Sequence, residues 1–323
     1  MPGDVKVSVL LPTWNAMPFL PAAVESILSQ QFEDFECIIV DDGSADQTPG
    51  YLRSLSDARV RLLRIDSNVG ITAALNIGLA ECRGRYVSRM DADDIAEPNR
   101  LAEQVALLDE EGDIGVVGSS RLLIDEDGKS IATASVMTDD LSIRWKCLLG
   151  NPLPHPTVMI RRKILQRHGV RYDAAYRSAQ DYELWTRLLP VTRAANIATP
   201  LLRYRVHNAS IGHSRKTEQL ANHDRIALLA NRRLLPSFPL HFDQISDLRG
   251  RYGGKRVRDP QMNPADERWI DLLASMLDAF CRFHSAAPGI DECASRQREW
   301  IKTFRPPPEV GRGADLEAAD ATP

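Results

Sequence analysis

The sequence predicts an α/β protein: a parallel sheet with helices on both faces, followed by a helical region. Three observations carry that prediction. Short apolar runs alternate with helical periodicities through the first hundred residues. Two of those runs end on clusters of aspartate. After Gly212 helical periodicity continues without intervening strands. Strand–helix alternation at this spacing builds right-handed βαβ units and therefore a parallel sheet.

The first strand is expected at 7–11 (VSVLL), followed by helical spacing over 18–29 (PFLPAAVESILS). Residues 37–40 (CIIV) read as a buried strand running into Asp41-Asp42-Gly43-Ser44. A short helix is expected over 46–55, with acid in the first turn where the helix dipole favours it. Residues 60–65 (VRLLRI) form the third strand, 71–82 the next helix, and 86–90 (YVSRM) the fourth strand. A helix over 101–108 precedes strands at 115–119 and 130–134. Between those strands Asp125-Glu126-Asp127-Gly128 reads as a turn, which shows how little a lone Asp-x-Asp means. Residues 140–149 and 163–168 look helical, 157–160 a strand, 180–189 (QDYELWTRLL) an amphipathic helix, and 201–206 (LLRYRV) the last strand. Beyond it, 216–235 and 266–283 have helical periodicity, and 305–323 has the composition of a disordered tail. The division expected is thus 1–212, 213–304 and 305–323.

Composition narrows the function. The chain has 323 residues, 43% hydrophobic and 26% charged, enough for a large core without staples. A net charge of −4 offers no basic excess for nucleic acid. No signal peptide and no membrane span are expected, and five scattered cysteines fit a reducing cytoplasm. Contact with the inner face of a membrane would be peripheral, through basic stretches at 249–258 and Arg232-Arg233, which read equally as solvated loops.

The acid clusters are the sharper feature. In open α/β sheets ligands bind outside the carboxyl ends of the strands, and both Asp41-Asp42 and Asp91/Asp93/Asp94 fall at such ends. Adjacent carboxylates raise each other's pKa unless a cation compensates. Asp91 and Asp93, two apart, share one side of an extended segment. A solvated acidic turn is the competing account.

Four stretches together resemble the family 2 glycosyltransferases of GT-A fold, whose sheet is mixed: 8–15 (SVLLPTWN), 38–44 (IIVDDGS), 68–94 (NVGITAALNIGLAECRGRYVSRMDADD) and 180–185 (QDYELW). Residues 201–210 (LLRYRVHNAS) resemble a fifth signature, and the likeness covers roughly 5–212. It implies an enzyme that transfers sugar with inversion from a nucleotide-diphosphate donor, UDP- or dTDP-linked for preference, to a glycan or lipid-linked glycan. Pro12, Thr13, Trp14 and Asp42 would hold the nucleotide; an ionised carboxylate suits the imide N–H of uracil or thymine. Asp93 would coordinate Mg²⁺ or Mn²⁺, and Asp91 would contact ribose or metal; hard oxygen ligands suit either ion. Asp94 either joins them or starts the next helical region. His207, with Arg203 and Arg205, would add a ligand or positive charge against the phosphates. Asp181 would be the base; relatives carry Glu-Asp where this chain has Gln180-Asp181, and a helix N-terminal charge is the plainer reading. His155 and Trp185 would border the acceptor, although a turn and a core tryptophan account for them too.

Other classes fit less well. A phosphorylation receiver also ends strands in aspartates, but Lys129, Lys146 and Lys163 are not where its lysine is needed. A nucleotidyltransferase would need a Gly-rich phosphate loop that is absent. An inactive relative that binds nucleotide sugar or assembles with partners remains the alternative.

Overall fold

The computed structural model describes residues 5–207, 216–252 and 267–302. Its strands are β1 (Val7–Thr13), β2 (Phe35–Asp42), β3 (Val60–Ile65), β4 (Tyr86–Arg89), β5 (Ile95–Ala96), β6 (Ile114–Ile124), β7 (Ser130–Ala134), β8 (Met159–Arg161) and β9 (Arg193–Arg205). They form one sheet in the order β3-β2-β1-β4-β8-β6-β9-β5, with β7 paired to β6. Every residue of β1 and β2 is buried, as a strand covered on both faces requires. Their side chains divide with period two. Leu10, Ile38 and Val40 enter one hydrophobic cluster, and Val9, Leu11, Cys37 and Ile39 the other.

The helices follow that division. On the Val9 side lie α1 (Leu20–Leu28), α2 (Thr48–Ser54), through Leu52, and α4 (Arg100–Glu110). On the Leu10 side lie α3 (Ile71–Glu81), α5 (Asp140–Cys147), α6 (Arg162–Arg167) and α7 (Gln180–Leu188). The later helices α8 (Lys216–Leu234), α9 (Phe242–Tyr252), α10 (Glu267–Phe283) and α11 (Ile290–Lys302) join that same cluster. Helix α10 shows why: Leu273, Met276, Leu277 and Phe280 recur at helical spacing, are all buried, and set Phe280 edge-on to Trp145 of α5.

The sheet is mixed, as the family resemblance implies and strand–helix alternation alone does not: β8 enters antiparallel between β4 and β6 while β6 and β9 run parallel. Several expectations change. β9 begins at Arg193, eight residues before the strand expected; Pro200 sits opposite Ser120 where the register slips, and such a break hides alternation. Residues 155–157 form a 3₁₀ turn, so β8 starts only at Met159. Asp46 stands outside α2, its Oδ1 accepting the Thr48 N–H at 2.9 Å, and no acid lies in that helix's first turn. Strand β5 and helices α9 and α11 were not expected: β5 is two residues long, and the helices bury few apolar positions. Among the described residues no helix is long and apolar enough to cross a membrane. The basic stretch 249–258 and the tail 305–323 lie largely or wholly outside the described residues. Arg249 within that stretch is bound to Asp224 at 2.8 Å, and Arg233 to Glu183 at 3.2 Å, so neither is a solvated loop charge.

Candidate active site

The loops after β1 and β2 are laced together. Asn15, at φ 47°, accepts the Ala45 N–H on its side-chain oxygen at 2.9 Å, while its own N–H donates to Ser44 Oγ at 2.9 Å. Asp41 Oδ1 accepts from the Ser44 N–H at 3.1 Å and so serves the turn. Asp42 grips the next loop: Oδ1 accepts from Val69 N–H at 2.8 Å and Oδ2 from Gly70 N–H at 2.9 Å. Each oxygen keeps a further lone pair for a ligand. Gly43 makes the crossing possible. It sits at φ +69°, and a Cβ there would lie 2.6 Å from the Ser67 carbonyl carbon. Pro12 and Thr13 are buried at the end of β1, and Trp14 beyond them is 55% exposed.

At the end of β4 the three aspartates converge. Asp91, Asp93 and Asp94 offer oxygens within 4.8 Å of one another. The Arg89 guanidinium holds Asp91 with two N–H donors, one at 2.7 Å on Oδ2 and one on Oδ1. Asp93 Oδ2 lies 2.8 Å from His207 Nε2. Asp94 is fully buried; its Oδ1 accepts the Arg205 N–H at 2.9 Å, and its Oδ2 has no partner. Burial, then the charges of Asp93 and Asp91, push Asp94 well above the ordinary aspartate pKa. Burial also raises Asp91, against Arg89 and with Asp93. A cluster that resists ionisation and holds an orphaned oxygen fits a divalent cation, which would relieve both.

Asp181 lines the same cleft as Asp91. It stands in the first turn of α7, after Ala179 at φ 59°, and its Oδ2 accepts from Asn151 Nδ2 at 2.6 Å. Burial raises its pKa, opposed by the Tyr182 N–H, Asn151 and Arg89. A cleft of about 280 Å³ is lined by Arg89, Asp91, Arg121, Asn151, His155 and Asp181, among others. His155 is buried, with Nε2 2.8 Å from the Tyr172 hydroxyl; burial and then Arg89 hold its pKa well below the usual value.

Three expected residues are not where the sequence pointed. Trp185 does not line the cleft: it is fully buried behind His155, their rings 6.1 Å apart, because it lies on the core face of α7. Arg205 turns its Nε and Nη1 donors to the fold, bonding the carbonyls of Asp93, Asp125 and Glu126 over the Phe19 ring. Arg203 is paired with Glu97 at 2.7 Å. Conversely, Arg89 and Asn151 were missed. Arg89 is two residues before Asp91 on a strand, which puts both on one side and was readable. Asn151 carries no local signal, since its partner is 30 residues away.

Residues 8–169, half the chain, match the description of glycosyl transferase family 2. The O-antigen biosynthesis glycosyltransferase WbnJ of Escherichia coli is 31% identical over 213 residues, 63% of this chain and 81% of that one. The chain belongs to glycosyl transferase family 2. As a member it is a glycosyltransferase, and its mixed sheet is the GT-A fold. Among solved structures, S. aureus TarS in complex with UDP-GlcNAc superposes with a TM-score of 0.62 at 18% identity, over 93% of this chain and 92% of that one. The mannosyltransferase PcManGT of Pyrobaculum calidifontis, in complex with GDP-Man and Mn²⁺, superposes with a TM-score of 0.53 at 19% identity, over 93% and 89%. At such identities the two structures speak for the fold. The matched family segment stops before Asp181 and His207.

Proposed function

We propose that this glycosyltransferase is metal-dependent and inverting, and moves a sugar from a nucleoside-diphosphate donor to a hydroxyl of a glycan or lipid-linked glycan. The observation that carries the reading is a single cleft lined by both Asp91, one of the acid cluster, and Asp181, part-buried at a helix start. Pro12, Thr13, Trp14 and Asp42 would bind the nucleotide. UDP- and dTDP-sugars are favoured because Asp42 can accept an imide N–H, and TarS was solved with UDP-GlcNAc. A glycan acceptor accords with the O-antigen role in WbnJ's name.

Asp91 and Asp93 would hold Mg²⁺ or Mn²⁺, with His207 steadying Asp93. The bound ion would offset charge on the departing diphosphate. Arg89 fixes the plane of Asp91 by its two-pronged contact. Asp181 takes the acceptor proton as the hydroxyl oxygen bonds to the anomeric carbon, on the face opposite the diphosphate. The bond from that carbon to the diphosphate breaks, and its electron pair leaves with the diphosphate.

The test is a thermal-shift panel of UDP, dTDP, GDP, CDP and ADP with and without Mn²⁺, on wild type and Asp93→Ala. A ligand that binds the native state raises the melting temperature by mass action. A metal-dependent shift for one diphosphate that disappears in Asp93→Ala is expected. A shift indifferent to metal or to Asp93→Ala would overturn the metal site.

A further inference from the structure

We propose that Asn151 is a positioning residue for transfer: it holds the Asp181 carboxylate by one oxygen and leaves the other to take the acceptor proton, an inference that rests on Asp181 being the base.

The geometry is specific. Asn151 Nδ2 donates to Asp181 Oδ2 at 2.6 Å, a short contact of the kind an ionised acceptor makes. The amide is itself oriented, because its Oδ1 accepts the Leu153 N–H at 3.4 Å, which turns Nδ2 toward Asp181. The loop carrying it is stiff. Pro152 and Pro154 restrict its backbone, Leu153 is fully buried, Thr157 N–H donates to Pro154 O at 2.9 Å, and His155 is held by Tyr172 at 2.8 Å. On the other side Asp181 follows Ala179, a non-glycine residue at φ 59°. Such a conformation is unfavourable for a residue with a side chain and persists where its surroundings impose it. Asn222 of α8 braces this turn, donating to Ser178 Oγ at 3.1 Å. Two stiff segments therefore meet at one hydrogen bond. A carboxyl group held at one oxygen cannot rotate freely, which is what a base needs to meet a hydroxyl at a set angle.

The same bond has an electrostatic side. Burial favours the neutral acid at Asp181, and Asn151 opposes it by donating to the ionised form. The other charged or titratable groups facing this space are Arg89 and Asp91 from the end of β4, Arg121 of β6, Lys146 of α5, Arg177 just ahead of α7, Tyr204 of β9, and His155 and Tyr172. The direct side-chain contact to the carboxylate is made by Asn151.

The experiment titrates the Asp181 carboxyl carbon by ¹³C NMR in wild type, Asn151→Ala and Asn151→Asp, with the resonance assigned by its loss in Asp181→Asn. It needs no substrate. The midpoint is expected to rise by about one pH unit in Asn151→Ala, where the donor is lost. It rises further in the near-isosteric Asn151→Asp, where a like charge replaces the donor. Release of nucleoside diphosphate, from the sugar of whichever diphosphate shifts the wild-type melting temperature, should fall roughly ten-fold in kcat. Its acid limb should move with the NMR midpoint, while that diphosphate still shifts the melting temperature of both variants. An Asp181 midpoint unmoved in both variants overturns the proposal, because a merely structural loop residue would alter stability and not the titration. An active Asp181→Asn would instead overturn the base assignment, and this proposal with it. An inactive Asp181→Asn with unmoved midpoints overturns only the role of Asn151.

Discussion

His207 Nε2 lies 2.8 Å from Asp93 Oδ2, joining the residue two beyond β9 to the acid cluster 114 positions earlier. The bond to Asp93 raises the His207 pKa, which favours the imidazolium form. The Phe19 ring, 5.2 Å away, closes the same corner.

Removing that partner should weaken metal binding without abolishing it. His207→Ala is expected to raise the Mn²⁺ concentration needed for the diphosphate-dependent thermal shift by about 10- to 100-fold, the usual effect of losing an orienting partner. Asp93→Ala should eliminate the dependence. A Mn²⁺ titration of both variants under one fixed diphosphate concentration separates them.

Asp181→Asn should bind donor as wild type does and lose about 10²- to 10⁴-fold in transfer. Its acid limb follows from the sign of the shift. A base works ionised, and burial has lifted the Asp181 pKa above the ordinary aspartate value. Transfer should therefore decline as pH falls through that raised value, and the limb should vanish in Asp181→Asn. The pH dependence of kcat in both proteins checks this.

Gly43→Ala should be costly for its size. The residue sits at φ +69°, and the added Cβ would meet backbone atoms of Ser67 and Asn68 at 2.6 and 2.7 Å. Left-handed strain and forced displacement together amount to at least about 2 kcal/mol. Because the displaced loop carries the Val69 and Gly70 amides on Asp42, diphosphate affinity should fall along with thermal stability. Retained affinity at a lowered melting temperature would separate Asp42 from the nucleotide.

The C-terminal helices should stabilise the helix that bears Asp181. Glu183, 2% exposed, is paired with Arg187 on its own helix and with Arg233 of α8 at 3.2 Å. A double-mutant cycle of Glu183→Gln and Arg233→Ala should give a coupling of roughly 0.5–3 kcal/mol in denaturant unfolding. Additive effects would mean that α8 is held by its apolar face alone.

Much of this molecule is local and could be read as such. β1, β2 and β4 are short apolar runs, and the strand ends that carry Asp42 and Asp91 follow from βαβ geometry. The stretches 8–15, 38–44, 68–94 and 180–185, in that order and spacing, together suggested the family. Helices α7, α8 and α10 show in their spacing, because each buries one face.

Pairing was not legible. β8 enters antiparallel, and β9 gains eight residues through a register slip at Ser120, because partners in a sheet are chosen by contacts distant in sequence. The same holds in the site. Asp91 and Asp93 stood out in the sequence by type and position, and Asp181 through the family resemblance. Only the folded chain decided that Arg205 braces the Asp93 loop, that Trp185 packs in the core, and that Asn151 reaches the Asp181 carboxylate. Each of these depends on which hydrogen-bond partner or packing face the fold supplies, and one residue's type does not determine that.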